Sequence, residues 1–247
     1  MIDVTNLIVG YDGFPVVESL TFHVPAGGCV GLLGRSGSGK TTVLHAIAGL
    51  VPPESGTIRI DGRIAGIGGI QGIVFQEVAL LGWRTVLENV CFPGTQKYVQ
   101  AQHRGAEQLL QVLGLGDFLG RYPHELSTGM RRRVEFARAL LLDERYLIAD
   151  EPFGALDLWT RQIIWRWFRD FRNQFKRTTL IATHSPEEAM FLCEEVIVLS
   201  HKRPSRDARH ILIPRQWTTE EIMQREELEI RRVFAEIVDA LEEEPGR

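Results

Sequence analysis

The chain has 247 residues, 44% hydrophobic and 24% charged, enough to bury the core of one large α/β domain or of a domain with a subdomain inserted in it. With 28 basic against 32 acidic residues the formal charge is -4, so a general nucleic-acid or membrane-surface role has no electrostatic support. No apolar run approaches the roughly 18 residues that cross a bilayer, and "MIDVTNLIVG" lacks a signal peptide's plan, so membrane crossing is expected of another chain.

The first 25 residues alternate apolar and polar around "DGFP", which predicts antiparallel strands joined by a turn. Gly28–Gly34, "GCVGLLG", is almost wholly apolar, as a strand buried on both faces is. "GRSGSGKTT" follows, and then "VLHAIAGL" at helical spacing up to Gly49. Strand, glycine-rich loop and helix are the context of a phosphate-binding loop. Cys29, Cys91 and Cys193 show no CxxC spacing and are expected as reduced thiols.

"GTIRIDGR" predicts a second hairpin over Gly56–Arg63. The glycines of Gly66–Gly72 imitate a dinucleotide fingerprint but lead into the strand-like "IVFQ" rather than a helix, so a connecting loop is expected. From Thr85 to Leu142 the pattern turns helical, opened by a capping box of Thr85 and Glu88. Strands are expected at Arg145–Pro152, Thr178–His184 and Glu195–Ser200. The helix between the first two carries Ile164, Trp167, Phe168, Phe171 and Phe175 as a buried face, with its basic residues outside. That periodicity outweighs a single-strand nucleic-acid platform read from "WRWFRDFRNQFKR". A final helix is capped by Thr218 and Glu221, stapled by Trp217 and Ile222, and striped by Ile230, Val233, Phe234, Ile237 and Leu241. Docking on its own domain or on another subunit both fit that stripe; "EEEPGR" is expected to fray.

Gly34–Thr41 matches GxxxxGK[ST] completely. The backbone of Gly34, Arg35, Ser36, Gly37, Ser38 and Gly39 is expected to turn N–H groups toward phosphate, with Thr42 at the helix start. Lys40 would reach the β- and γ-phosphates and the Thr41 hydroxyl would ligate Mg²⁺. "YLIADE" ends a buried strand with Asp150, suited to the Mg²⁺ shell, and Glu151, suited to polarising an attacking water.

Taken in order, Gln76, "LSTGM", "ADEP", "GALD" and "THS" resemble the nucleotide-binding subunits of ATP-binding cassette (ABC) transporters. "VFQEVALLGWRTVLENV" and "DEPFGALDLWTR" are most similar to the ATPases of nitrate, sulfonate, taurine and bicarbonate importers. The resemblance implies an α/β fold: a P-loop NTPase (RecA-like) core with an N-terminal antiparallel β-subdomain and an inserted α-helical subdomain. An ABC ATPase domain would span 1–215, its core 1–84 and 143–215, its helical subdomain 85–142, and a C-terminal helix and tail 216–247. Two such subunits sandwich two ATP molecules. Tyr11 would stack on adenine, or serve packing; Gln76 would touch Mg²⁺ or water, or merely end a strand. Asp157 would reach the second subunit, or cap a helix. His184 would hold the γ-phosphate and, with Glu151, the water.

Ser185, Pro186 and Glu188 are expected as N-cap, first helical residue and capping-box partner, setting His184 at a rigid junction. Ser127 and Gly129 would donate to γ-phosphate in the partner's site. Thr128 stands where a glycine is usual: tolerable with αR or β dihedrals, but costing of order 1 kcal/mol or more at φ > 0. Arg131–Arg133 also fit a solvated first turn. The implied partners are a second ABC ATPase, transmembrane permease subunits and an extracytoplasmic solute-binding protein, with no nucleic acid. The implied place is the cytoplasmic face of the inner membrane, and a large regulatory domain of the sugar-importer kind is not expected. Export or lipid transfer, and a nucleic-acid-associated role, are the alternatives.

Overall fold

In the computed structural model the described residues are 1–65, 73–74, 80–92, 99–141, 145–154, 158–201, 204–206, 208–214 and 216–242. Gln76, Asp157, the Gly66–Gly72 loop and all of the "EEEPGR" tail but Glu242 therefore lie outside them.

Strands β1 (Ile2–Tyr11) and β2 (Phe14–Val24) form the expected antiparallel pair. The second hairpin, β4 (Ser55–Ile60) and β5 (Arg63–Ile64), adds to β1, giving one sheet ordered β2-β1-β4-β5. Its inward side chains Ile2, Val4, Leu7, Val9 and Leu20 are buried, which fixes the register, since slipping one residue would turn them to water.

The second sheet holds β3 (Cys29–Leu33), β6 (Ile73–Val74), β7 (Tyr146–Asp150), β8 (Thr178–Thr183), β9 (Glu195–Val198) and β10 (Arg209–Leu212). Their order is β10-β9-β3-β8-β7-β6; all pairs are parallel except β10 with β9. Every residue of β3, β7 and β8 is buried. Val30, Leu32, Ile148, Leu180 and Ala182 pack toward the β1–β5 sheet and helix α1 (Lys40–Ile47), whereas Leu33, Leu147, Ala149 and Ile181 face the remaining helices. A strand covered on both faces reads as a continuous apolar run, which is why these three were the clearest in the sequence.

Between β6 and β7 the described elements are all helical: α2 (Val86–Val90), α3 (Val99–Val112), 3₁₀ turns at Gly116–Phe118 and Pro123–Glu125, and α4 (Thr128–Leu141). The Thr85–Glu88 capping box is present in both directions. Helix α5 (Leu158–Phe175) lies between β7 and β8, and α6 (Pro186–Leu192) between β8 and β9.

Helix α5 departs from expectation in two ways. Trp165, not Trp167, is fully buried with Ile164 and Phe168, stacked against Phe191, while Phe175 is more than half exposed on Phe171. The basic residues are not all outside: Arg172 is buried and holds Glu194 with two hydrogen bonds, and buried Arg177 lies 4.9 Å over the Phe171 ring. Planar guanidinium groups pair carboxylates and stack on rings, so they enter a core that excludes lysine.

The C-terminal region is two helices, not one: α7 (Thr219–Gln224) and α8 (Leu228–Glu242). The break is at Arg225, left-handed at φ 51°. That conformation is costly for a residue with a Cβ; here the guanidinium sits 3.5 Å over Phe234 and bonds Glu187 at 2.6 Å. The Thr218–Glu221 box forms, Trp217 and Ile222 are buried as a staple, and the stripe packs on the chain's own domain. Cys29, Cys91 and Cys193 are all free thiols.

Candidate functional site

Parallel order brings three chain segments to one sheet edge. β3 lies beside β8 and β8 beside β7, in a register that pairs Leu33 with Thr183 and Asp150 with Ala182. The loop after β3, the acidic pair after β7 and His184 after β8 thus leave neighbouring strands at the same end. In open α/β sheets ligands bind at the carboxyl ends of the strands.

The loop's glycines do separate work. Gly34 is packed so closely that a Cβ would sit 2.4 Å from Ser38 Oγ. Gly39 caps α1 at φ 102°, where a Cβ would meet Val17 Cγ2 at 2.6 Å. Only glycine fits at these two positions, which lets the backbone turn tightly at the N-terminus of α1, where positive potential favours phosphate. Arg35, Ser36 and Gly37 are exposed, while Ser38 and Thr42 are buried.

Lys40 is buried, and its ammonium donates to the carbonyls of Gly34 (2.7 Å) and Arg35 (3.3 Å). Burial pushes its pKa down; the nearby Glu151 and Asp150 carboxylates oppose that. Glu151 Oε1 is 3.9 Å from Lys40 Nζ and 3.3 Å from His184 Nδ1. Thr41 Oγ1 donates to Asp150 Oδ2 at 2.6 Å. Burial raises the Asp150 pKa, and the Thr41 bond pulls it back. Hydroxyl and carboxylate oxygens meeting here suit Mg²⁺, which usually takes one or two protein oxygens and completes its shell with phosphate and water. Among the described residues no cluster of three or more His, Cys, Asp or Glu makes an all-protein cage.

Glu151 stands at φ 47°, outside β7, with its amide bonded to Ala182 O. The strand therefore ends one residue before it, and a backbone of this kind aims the side chain across toward His184. Such outliers persist where the surroundings over-determine them, and they cluster at functional sites. Tyr11 is half exposed at the end of β1, and lines a cavity of about 260 Å³ with Val16, Gly37, Gly39, Lys40, Thr41 and Thr42. Val16, which the sequence does not single out, lines the same cavity; nothing in the unbroken apolar run "FPVV" marks it for a site.

"LSTGM" forms a helix start. Ser127 Oγ accepts from the Met130 amide (3.2 Å), and α4 begins at Thr128. Thr128 is helical and is not at positive φ, so the threonine carries no backbone penalty. The arginines are not a solvated turn, for all three are half-buried. Arg131 bonds Leu126 O (2.8 Å) and Thr128 Oγ1 (3.1 Å), and Arg133 bonds Leu113 O (2.6 Å). Arg131 thus ties the residue before Ser127 to the first turn of α4, and Arg133 ties α4 to the residue that follows α3. Thr128→Gly is therefore expected to change ATP turnover by less than about threefold, measured as phosphate release; a larger gain would show that the natural side chain impairs the site.

The capping box expected at the start of α6 forms in one direction only. Ser185 caps α6, accepting from the Glu188 amide at 3.2 Å, with Pro186 first in the helix. Glu188 does not return to the Ser185 amide, which instead donates to Thr183 Oγ1 at 3.1 Å. The Glu188 side chain is turned inward and buried.

The sequence profile of the family described as "ABC transporter" matches residues 17–154. The nitrate import ATP-binding protein NrtD of Synechocystis sp. is 40% identical over 215 residues, 85% of this chain and 80% of that protein. The taurine import ATP-binding protein TauB of Rhizobium johnstonii is 39% identical over 227 residues, 91% and 80% of the two chains. A sulfate/thiosulfate import ATP-binding protein of Mesostigma viride is 38% identical over 206 residues, of whose length this chain spans 59%. Among solved structures, a dimeric bacterial ABC transporter cassette superposes with a TM-score of 0.75 at 26% identity, over 88% of this chain and all of that one.

Proposed function

The chain belongs to the ABC transporter family, and from that premise we propose that it is the ATP-hydrolysing subunit of an importer. The carrying observation is the convergence of Lys40, Thr41, Asp150, Glu151 and His184 at one sheet edge in a chain about 40% identical to import ATP-binding proteins. Export, lipid transfer and nucleic-acid roles have no comparable support.

In this reading the loop amides of 34–39 cradle the phosphates, Lys40 neutralises their charge, and Tyr11 stacks on adenine. Thr41, Asp150 and Gln76 would hold Mg²⁺, which would supply positive charge against the phosphates. Glu151 takes the proton of the attacking water, and His184 orients water and γ-phosphate. Ser127, Gly129 and the flanking Thr128 meet the γ-phosphate of a second ATPase subunit, where Asp157 also reaches across. ATP closes the pair and hydrolysis releases it, so the differential affinity for ATP over ADP moves the permease between its two states.

The domain scheme that goes with this is an ABC ATPase over 1–215, with 1–84 and 143–215 as core and 85–142 as the helical subdomain, followed by 216–247. No described helix is long and apolar enough to cross a membrane, so the work reaches the bilayer through permease subunits, at the cytoplasmic face. An extracytoplasmic solute-binding protein would deliver a small anionic or polar solute such as nitrate, a sulfonate, taurine or bicarbonate. The test is affinity purification from membranes together with growth of a deletion strain. A multi-span permease should co-purify, and growth should fail on one of nitrate, taurine or alkanesulfonate as sole nitrogen or sulfur source. Normal growth on all of them, with no permease recovered, would count against the importer.

A further inference from the structure

The turn that carries His184 is tied to the C-terminal helices by an unbroken chain of polar contacts. Ser185 follows the imidazole directly and is held at its amide and at its hydroxyl. The amide donates to Thr183 Oγ1 at 3.1 Å, and the hydroxyl accepts the Glu188 amide at 3.2 Å. The same hydroxyl donates to Glu187 Oε2 at 3.1 Å. The other oxygen of that carboxylate, Oε1, accepts from Arg225 Nη2 at 2.6 Å. One carboxylate thus joins the residue beside His184 to the junction of α7 and α8.

Arg225 is itself fixed from several sides. Its amide donates to Glu221 O at 3.0 Å, and its carbonyl accepts from Arg231 Nε at 2.6 Å. The guanidinium lies 3.5 Å over the Phe234 ring of α8. Earlier in the segment, Arg169 of α5 donates to Trp217 O at 2.8 Å and Arg166 to Thr219 Oγ1 at 2.6 Å, which anchors α7 without help from the site. The φ of 51° at Arg225 is one that arginine rarely adopts. Its ion pair with Glu187 is part-exposed on both sides, and such pairs add little to stability. A strained residue whose ion pair does little for the fold, and whose contacts lead to a catalytic turn, points to a role in the site.

We propose that Arg225 is a positioning residue of this site: through Glu187 and Ser185 it fixes the turn so that the His184 imidazole meets Glu151, 3.3 Å away. The inference rests on the reading of Glu151 and His184 as catalytic residues. Without the guanidinium the Glu187 carboxylate turns to water, and the Ser185 hydroxyl loses the acceptor that orients it. The imidazole beside it then spends less time where water and γ-phosphate need it.

Single-turnover hydrolysis of Mg-ATP by the full chain tests this, with ATP affinity and Tm measured in parallel. Arg225→Gly removes the guanidinium at a φ that glycine adopts without strain. It should lose about fivefold in rate with ATP affinity unchanged and Tm within about 3 °C of wild type. Arg225→Lys restores a cation to Glu187 and should recover most of that loss. Glu187→Ala should lose about fivefold too, and the double variant with Arg225→Gly should be no slower than Glu187→Ala alone, because both act through one chain of contacts. If Arg225→Gly does not fold, Glu187→Ala and Arg225→Lys decide. A wild-type rate for Arg225→Gly, losses that multiply in the double variant, or a loss matched by weaker ATP binding overturns the proposal while His184→Ala remains impaired. A wild-type rate for His184→Ala overturns the catalytic reading and this proposal with it.

Discussion

Glu151→Gln is expected to bind Mg-ATP as wild type does, to hydrolyse it at least about a hundredfold more slowly, and to accumulate as an ATP-bound pair of subunits. Glutamine keeps the size and hydrogen-bonding capacity of the side chain but cannot take a proton. Glu151 is three-quarters buried, 3.3 Å from His184 and 3.9 Å from Lys40, so the substitution removes a negative charge between two potential cations without emptying the space. Nucleotide binding, carried by the loop of Gly34–Thr41, should be spared. If the pair opens only after hydrolysis, a block at that step leaves it closed. Phosphate release measures the first effect and sedimentation with ATP against ADP the second. A variant that turns over at the wild-type rate excludes Glu151 as the group that activates water.

Lys40→Ala should act earlier, lowering ATP affinity by about ten- to a hundredfold, because charge-assisted hydrogen bonds to phosphate are each worth about 1.5–3 kcal/mol. Two opposing terms keep its effect on folding small. Burial depresses the ammonium's pKa, so the charge costs stability at neutral pH, most fully below that lowered pKa and less as pH rises through it. Against this, the carbonyls of Gly34 and Arg35 lose their donor. Isothermal titration with ATP, beside a thermal melt, separates lost binding from lost structure.

What the sequence revealed and what it hid have physical reasons. The strands around Val30, Ile148 and Leu180 were legible because both their faces are buried, which leaves an unbroken apolar run. The loop at Gly34–Thr41 was legible because a close backbone turn admits few residue types. Strand β10 was not, since of Arg209–Leu212 only Ile211 is buried and its place depends on pairing with β9. The break at Arg225 was hidden for a related reason: neither glycine nor proline marks it, and its left-handed backbone is offset by contacts with Phe234 and Glu187.

The candidate site divides in the same way. Residue types at set spacing pointed to Lys40, Thr41, Asp150 and Glu151, and the order of the strands brings them together. Glu188 looked like a capping-box partner because its spacing from Ser185 is correct. Only the fold reveals that Thr183 takes the Ser185 amide and leaves the carboxyl facing inward. The Thr128 question likewise turned on a dihedral angle, which no motif records. Its helical backbone, and the bonds of Arg131 and Arg133 to the adjoining segments, fix this helix start in place.

The central claim is that one sheet edge of this chain is a Mg-ATP hydrolysis site, and a structure of the Glu151→Gln chain crystallised with ATP and Mg²⁺ tests it most directly. The γ-phosphate should lie within hydrogen-bond reach of Lys40 and His184, the adenine against Tyr11, and the metal between Thr41 and Asp150, in place of their 2.6 Å hydrogen bond. Nucleotide bound elsewhere, or a γ-phosphate out of reach of Lys40 and His184 with the Thr41–Asp150 bond intact, would contradict it.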